Sequence, residues 1–381
     1  MTIRSRDPIL LTPGPLTTAI ATKEAMLHDW GSRDSDFVEM SQDVCARVLE
    51  IVGDDGEYVC VPLQGSGTFG VEAMIGTLVP ANGKLLILAN GAYGRRMVRI
   101  CEVLNRASVT YEVPENEIHD AVQLDTILER DPEISHVAVI HCETTSGILN
   151  PVTSLAEVVV RHGRRLFVDS VSGFGALPID CESVSFEALA FSSNKCFEGV
   201  PGLAFVICRR DALEVSAGNA HSLCLDLFDQ WQSMGDNGQW RFTPPTHVIA
   251  AFHKALLDHE EEGGVQQRFN RYSANCRLLV DGMRKLGFET LLPDESQAPI
   301  IVTFHTPADP RFDFNIFYEG LRARGYVIYP GKLAEADSFR MGCIGHLDTS
   351  NMEGALTAVS EILEEMKVKN RGRLARSAAS D

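Results

Sequence analysis

Two apolar runs in the sequence end in a charged residue: Leu166-Phe167-Val168-Asp169 and Ala190-Phe191-Ser192-Ser193-Asn194-Lys195. Such runs are typical of buried strands, where a terminal lysine is costly unless its amine has a chemical role.

Runs rich in β-branched residues predict strands at 59–63, 85–88, 137–141, 165–168, 189–192 and 203–208. Helical patterns alternate with them at 70–78, 95–104, 124–129 and 155–162. This alternation predicts the α/β class, with a large, mostly parallel sheet covered on both faces. Asp169 and Lys195 then lie at the carboxyl ends of strands, where such sheets bind ligands.

The sequence changes character after Pro244-Pro245. Apolar residues at 265, 269, 272, 276, 279, 283 and 286 keep the spacing of one helical face, and Gly287 follows as a helix-ending residue. Further patterns predict a strand at 299–304, a helix at 315–323, a strand at 327–329 and a final helix striped from 352 to 366. We therefore expect a large domain over 1–259, with residues 1–15 able to pack on the smaller one. A small α+β domain is expected over 260–368 and a disordered tail over 369–381.

Composition narrows the class of protein. The chain has 381 residues and a formal net charge of −18, which argues against binding to nucleic acid or to anionic membrane surfaces. Its ten cysteines contain no C-x-x-C pair, which favours reduced thiols over a disulfide frame or a zinc site. No apolar stretch has the length of a signal peptide or a membrane span. We expect a cytoplasmic enzyme.

The pairing of Asp169 with Lys195 suits pyridoxal 5′-phosphate (PLP). The lysine amine would hold the cofactor aldehyde as a Schiff base, and the aspartate would keep the pyridine nitrogen protonated so that the ring accepts electrons. A surface ion pair is the alternative, since charged residues are mostly exposed. A phosphate-type loop upstream and an arginine downstream favour the cofactor.

The phosphate-type loop is Gly65-Ser66-Gly67-Thr68-Phe69-Gly70, which follows a predicted strand and opens a helix. It matches the dinucleotide fingerprint only in part, and that fingerprint needs an acidic residue about 20 positions further on. No Asp or Glu lies between Glu72 and Glu102, so we reject a dinucleotide. A single phosphate at the helix N-terminus fits better, because amides and the hydroxyls of Ser66 and Thr68 can face one anion. An ordinary capped turn is the alternative.

Three more side chains are candidates for the site. Tyr93 follows a strand and either stacks on an aromatic cofactor or covers the core. Thr145 lies in a hydroxyl-rich loop that either contacts a cofactor ring oxygen or forms an ordinary turn. Arg340 interrupts an apolar strand, so it either meets a protein carboxylate or awaits an anionic substrate. His141-Cys142-Glu143 has the H-x-E pattern of zinc deaminases but lacks the P-C-x-x-C that must follow, and no metal site is predicted.

Nine segments together resemble the fold-type I, class V PLP-dependent aminotransferases, and most closely the branch that acts on 2-aminoethylphosphonate and pyruvate. They occur in family order between residues 11 and about 366, and those at 193–202 and 241–247 are distinctive in combination. The segments are LTPGP (11–15), DWGSRD (29–34), QGSGT (64–68), NGAYG (90–94), ETTSGILNP (143–151), VDSVS (168–172), SNKCFEGVPG (193–202), RFTPPTH (241–247) and FRMG (339–342).

The resemblance assigns roles to residues of this chain. It implies Lys195 as the Schiff-base lysine and Asp169 as the partner of the pyridine nitrogen. The other implied cofactor contacts are Ser66, Gly67 and Thr68 at the phosphate, Tyr93 over the ring, Thr145 near the ring hydroxyl and Asn194 beside the lysine. Thr243 would reach the phosphate of the neighbouring subunit, which makes a homodimer with shared active sites obligatory. Arg340 would bind the substrate anion.

The reaction implied is transfer of the amino group of 2-aminoethylphosphonate to pyruvate, giving phosphonoacetaldehyde and L-alanine. Three alternatives remain. An alanine– or serine–glyoxylate aminotransferase shares the lysine, aspartate and arginine. A PLP lyase of the cysteine desulfurase type needs a mobile cysteine, for which Cys196 and Cys343 are poorly placed. A non-catalytic PLP-fold binding protein is disfavoured because all three residues are present.

Overall fold

A computed structural model describes residues 7–54, 56–333 and 337–372. Numbered in chain order, the strands are β1 (Ile9–Leu10), β2 (Tyr58–Gln64), β3 (Lys84–Ala89), β4 (Ala107–Glu112), β5 (Ile134–Ile140), β6 (Cys142–Glu143), β7 (Ile148–Leu149), β8 (Arg165–Asp169), β9 (Ala188–Ser192), β10 (Leu203–Arg209), β11 (Ile301–His305), β12 (Tyr326–Val327), β13 (Tyr329–Pro330) and β14 (Ser338–Gly342). The α-helices are α1 (Ile20–Glu24), α2 (Ser35–Val52), α3 (Gly67–Leu78), α4 (Ala92–Leu104), α5 (Ala121–Arg130), α6 (Val152–Arg161), α7 (Arg210–Glu214), α8 (Leu227–Asn237), α9 (Thr246–Glu262), α10 (Gly264–Lys285), α11 (Phe314–Ala323) and α12 (Thr349–Glu365).

A seven-stranded sheet forms the centre of the fold, in the order β2-β10-β9-β8-β5-β3-β4. Only β10 runs against its neighbours, and the pairs from β9 to β4 are all parallel. Separate apolar clusters cover the two faces: one includes residues of α2, α5, α6 and α9, and the other residues of α3 and α4. The predicted α/β class and mostly parallel sheet are therefore confirmed.

The C-terminal elements form a second layer around a three-stranded antiparallel sheet, β11-β14-β13. Helices α10, α11 and α12 bury their apolar residues against it. As predicted, α10 ends at a left-handed Gly287 (φ 92°), whose amide donates to the carbonyl of Arg284. Near the N-terminus, β1 pairs in parallel with β12, so the first described residues lie against this layer. A division into two domains at 259/260 stays a prediction.

Some local predictions differ from the structure. The expected strand at 327–329 is split into β12 and β13, because each pairs with a different strand, β1 and β14. The edge strand β4 was not predicted; its residues are all exposed or half-buried, so it lacks an apolar run. Of the expected disordered tail, Lys369 and Asn370 donate backbone hydrogen bonds to Asp309 Oδ2, while residues 373–381 lie outside the described residues. Within the described parts of the chain, no helix is long and apolar enough to cross a membrane.

Candidate active site

A cavity of about 310 Å³ lies at the carboxyl ends of the parallel strands. Most of the site residues that the sequence predicted line this cavity. The predicted site residues that line it are Ser66, Gly67, Thr68, Tyr93, Asp169, Asn194 and Lys195. Gly14, from the N-terminal segment, and Arg96, from α4, also line it. Its size is in the range of small-molecule sites.

Lys195 lies in the turn just past the end of β9, with its amine buried under the N-terminal segment. The amine donates hydrogen bonds to the carbonyls of Pro13 (2.9 Å) and Gly14 (3.4 Å). Gly14 has a φ of 125°, a backbone conformation that favours glycine, and a Cβ there would displace the end of this lysine side chain. Burial, as the main cause, lowers the pKa of Lys195 to about 8, and nearby positive charges lower it further. An amine with this pKa loses its proton more readily near neutral pH than a solvated lysine does.

Asp169 ends β8 and faces the same cavity. Its Oδ1 accepts one hydrogen bond, from the amide of Val171 at 3.0 Å. Burial raises the pKa of Asp169 to about 7, because one amide offsets little of the cost of a buried carboxylate. A cation placed against this carboxylate would restore its ionised form.

The predicted phosphate loop lies at the N-terminus of α3. Ser66 is the N-cap residue, and its side chain makes no capping hydrogen bond. Gly67 packs so closely on Val171 that a Cβ there would collide with it. The Thr68 hydroxyl accepts a hydrogen bond from Arg96 Nη1 at 2.9 Å. The loop therefore combines a helix N-terminus with an arginine, an arrangement suited to an anion.

Arg96 was not predicted as a site residue. It lies one turn along α4 from Tyr93, with its guanidinium carbon 4.7 Å from the centre of the Tyr93 ring. Sequence alone does not separate it from its neighbour Arg95, which instead pairs with Glu112 and Glu115 at the surface. The predicted helix began at 95, whereas α4 begins at Ala92. Tyr93 therefore belongs to the helix, and Arg96 lies one turn after it on the same face.

Glu143 connects two of the predicted site residues. Its buried carboxylate accepts four hydrogen bonds: from the Thr145 hydroxyl (2.6 Å) and amide (3.0 Å), and from the amides of Tyr93 (3.1 Å) and Gly94 (3.2 Å). The Thr145 hydroxyl also accepts from the amide of Ala92 at 2.9 Å. Thr145 is wholly buried and lies behind the cavity wall rather than in it. Glu143 thus fixes the Thr145 loop to the start of α4.

Arg340 is nearly fully buried in β14. It donates to two backbone carbonyls, from Nε to Pro330 at 3.1 Å and from Nη1 to Thr144 at 2.7 Å. No carboxylate of the described residues forms an ion pair with it. The alternative that Arg340 pairs with a protein acid is therefore not supported by the described part of the chain, and its remaining N–H groups stay available to an anion.

Thr243 is exposed and does not line the cavity of its own chain. Its neighbour Arg241 is held by Asp229 (2.8 Å) and by the carbonyl of Leu223 (2.7 Å). The apolar side chains of Phe242 and Leu223 are exposed beside it. Within its own chain, Thr243 therefore makes no contribution to this cavity.

Cys196 is buried next to the lysine, and its thiol donates to the carbonyl of Ser172 at 3.2 Å. Burial, the largest cause, raises the pKa of this thiol to about 12. Cys343 is also fully buried, with a raised pKa. Neither thiol has the exposure or acidity of a nucleophilic cysteine, which argues against a desulfurase.

The architecture is that of the fold-type I aminotransferases, which confirms the predicted fold type. One solved neighbour is pyridoxamine-pyruvate aminotransferase from Mesorhizobium loti, with a TM-score of 0.87 over 97% of this chain and 95% of that chain, at 24% identity. Another is ureidoglycine-glyoxylate aminotransferase from Bacillus subtilis, with a TM-score of 0.88 over 97% and 96%, at 18% identity.

Sequence comparison defines the family. The class-V aminotransferase profile matches residues 33–313, and the chain belongs to this family. One relative is the 2-aminoethylphosphonate–pyruvate transaminase of Pseudomonas aeruginosa strain UCBPP-PA14. It is 57% identical over 368 residues, which cover 97% of this chain and 99% of the relative. The resemblance identified from the nine segments is therefore confirmed.

Proposed function

We propose that this protein is a PLP-dependent aminotransferase that moves the amino group of 2-aminoethylphosphonate to pyruvate, giving phosphonoacetaldehyde and L-alanine. The observation that carries the reaction type is the cavity shared by Lys195 and Asp169. The observation that carries the substrate is the full-length relationship to an enzyme named for these two substrates, at 57% identity.

The described residues fit PLP. Asp169 is a buried carboxylate that forms no ion pair with another described residue, Lys195 is a half-buried amine with a lowered pKa, and the N-terminus of α3 with Arg96 suits a phosphate. When bound, PLP supplies an aldehyde that links to amines and a ring that accepts electrons from the carbon bearing nitrogen. Ser66, Gly67 and Thr68 would hold its phosphate, and Asp169 its ring nitrogen. Tyr93 and Asn194, which line the cavity, would contact the ring.

The chain's own residues account for the proton transfers. The lowered pKa of Lys195 makes its amine a base near neutral pH, so with PLP bound it could remove a proton from the substrate carbon that bears nitrogen and later act as the proton donor. Asp169 keeps a proton on the ring nitrogen by remaining ionised beside it. Glu143 holds the segments of Tyr93 and Thr145 at their positions through its four hydrogen bonds. The carbonyls of Pro13 and Gly14 hold the lysine amine in position.

The function is tested with purified holoenzyme and single amino donors. We expect alanine formation from pyruvate with 2-aminoethylphosphonate, and much slower turnover when alanine or serine is supplied with glyoxylate. Production of phosphonoacetaldehyde in stoichiometric amounts with alanine is the decisive measurement. Preference for a glyoxylate pair would instead place the protein with the alanine– or serine–glyoxylate enzymes.

Arg340 is expected to bind the anionic group of both substrates in turn. A hydrogen bond to a charged group contributes about 1.5–3 kcal/mol, and lysine keeps the charge but loses the guanidinium fork. Arg340→Lys should therefore lower kcat/KM for 2-aminoethylphosphonate and pyruvate by about tenfold. Arg340→Ala should lower it further, with PLP affinity largely unchanged. Stopped-flow kinetics of each half-reaction, with a cofactor titration, measures both.

The outcome that contradicts this role is loss of cofactor affinity alone. Arg340 would then be structural, and the substrate anion would be held elsewhere. Arg33, in the segment 29–34 that shares the family resemblance, is exposed and does not line the cavity.

A homodimer follows from the proposed role of Thr243. Its exposure, the fixed position of Arg241 and the apolar Phe242 and Leu223 beside it support an interface at this segment. Mixing inactive Lys195→Ala protein with an inactive Thr243 variant should restore activity, because a hybrid dimer contains one site with both residues intact. A chain that sediments as a monomer with full PLP affinity would refute the shared site.

A further inference from the structure

Three cations besides Lys195 surround the candidate site, although the chain carries a formal net charge of −18. They are Arg96, Lys332 and Arg340. Burial is the main cause of the lowered pKa of Lys195, and the positive charges of these three side chains lower it further. Each therefore lies near enough to the amine to affect its pKa.

The three cations divide between the two ends of the site. Arg96 is hydrogen-bonded to Thr68, at the end proposed for the cofactor phosphate. Arg340 is held between Pro330 and Thr144, at the end proposed for the substrate. The Lys332 amine is 5.4 Å from the centre of the Tyr93 ring, which lines the cavity.

Lys332 follows β13, which pairs with the strand that carries Arg340. Strand β13 pairs with β14 so that Tyr329 lies opposite Arg340, and the Arg340 Nε bonds to the carbonyl of Pro330. The amide of Gly331 then donates to the carbonyl of Ser338 at 2.9 Å, and a Cβ at Gly331 would collide with that residue. Lys332 is the next residue, two positions after Pro330, whose carbonyl accepts a hydrogen bond from Arg340. The backbone at Lys332 is therefore fixed by these contacts.

Arg340 has limited capacity for a doubly charged group. Two of its three nitrogens already donate to carbonyls of Pro330 and Thr144. A phosphonate carries up to two negative charges on three terminal oxygens, whereas a carboxylate carries one charge on two. One guanidinium balances a carboxylate, but a phosphonate dianion leaves a second charge to be neutralised. Lys332 is exposed, and its amine adds a second positive charge close to the Tyr93 ring.

We propose that Lys332 binds the phosphonate group of the amino donor together with Arg340, and that it favours a phosphonate over a carboxylate. This inference rests on the proposed function, because it concerns the donor of that reaction. A lysine suits the role, since its ammonium is a point charge on a flexible stem with three donors. Arg340 serves both substrates, and Lys332 serves chiefly the phosphonate.

The test compares two unreactive anions, methylphosphonate and acetate, in calorimetric titrations of holoenzyme. In Lys332→Gln the Kd for methylphosphonate should rise about tenfold, equivalent to about 1.4 kcal/mol, while the Kd for acetate changes less than about twofold. Affinity for methylphosphonate should rise with pH in the wild type as the anion loses its second proton, and that rise should be lost in the variant. Lys332→Arg should restore both properties. The exposed Lys285, at the end of α10, provides a control with the same change of charge in Lys285→Gln, which should match the wild type.

An equal rise in the Kd values of methylphosphonate and acetate in Lys332→Gln would overturn the inference. It would show that Lys332 attracts any anion through its charge, or that it only holds the Tyr93 ring in place. Unchanged binding of methylphosphonate would overturn it as well. If the proposed function were wrong, the wild type would bind methylphosphonate but would not transaminate 2-aminoethylphosphonate. The titrations of wild type and variants would still show whether Lys332 binds the phosphonate group.

Discussion

Lys195→Ala should lower kcat by about 10⁴-fold, the upper range for loss of a general acid–base group, in a protein that still folds and binds PLP. The folded state gains little from this side chain, because burial disfavours its charged amine and lowers its pKa to about 8. That penalty is present below pH 8 and fades as the pH rises towards 10.5, the ordinary value for lysine. At neutral pH the variant should therefore unfold at the same temperature as the wild type or a higher one.

The assignment of the lysine is measured separately from activity. Borohydride reduction of the wild-type holoenzyme, followed by peptide mapping, should place the label on Lys195. A label on any other lysine would show that the assignment is wrong. Lys285→Ala is a suitable control for the loss of a lysine, because Lys285 is exposed at the end of α10.

The sheet and the pair at its edge were predictable because both depend on local patterns. Buried parallel strands need continuous apolar runs, so Asp169 and Lys195 stood out at the ends of β8 and β9. The loop at Ser66–Thr68 was predictable for a similar reason, since glycines and hydroxyls mark the start of a helix that follows a strand.

The residues that were missed depend on distant contacts. Glu143 was given no role of its own from sequence, because the amides of Tyr93 and Gly94 that it binds lie about fifty positions away. Lys332 is an ordinary surface lysine in sequence, and only tertiary packing brings its amine to 5.4 Å from the centre of the Tyr93 ring. Such contacts are set by tertiary packing, which periodicity does not record.

Asp169→Ala should reduce kcat/KM by at least about 100-fold, because losing one partner of a buried ion pair costs about 3–5 kcal/mol and each 1.36 kcal/mol is about tenfold in rate. Asp169→Glu keeps a carboxylate and should lose less. Steady-state kinetics of both variants measures the difference. Near-normal activity in the alanine variant would show that the ring nitrogen has another partner.

The raised pKa of Asp169 gives this prediction a second readout, in protein stripped of cofactor. Burial raises the pKa from 3.8 to about 7, so between these values the folded state binds more protons than the unfolded state. Stability must then fall as the pH rises through this window. Asp169→Asn removes the titrating carboxyl group. The unfolding temperature of the wild type should therefore fall relative to that of this variant as the pH rises from about 4 to about 7. Adding PLP should abolish the difference, because a protonated ring nitrogen stabilises the ionised carboxylate. A wild type whose pH dependence matches that of the asparagine variant, with and without PLP, would mean that Asp169 is already paired within the protein and is not the group that holds the ring nitrogen.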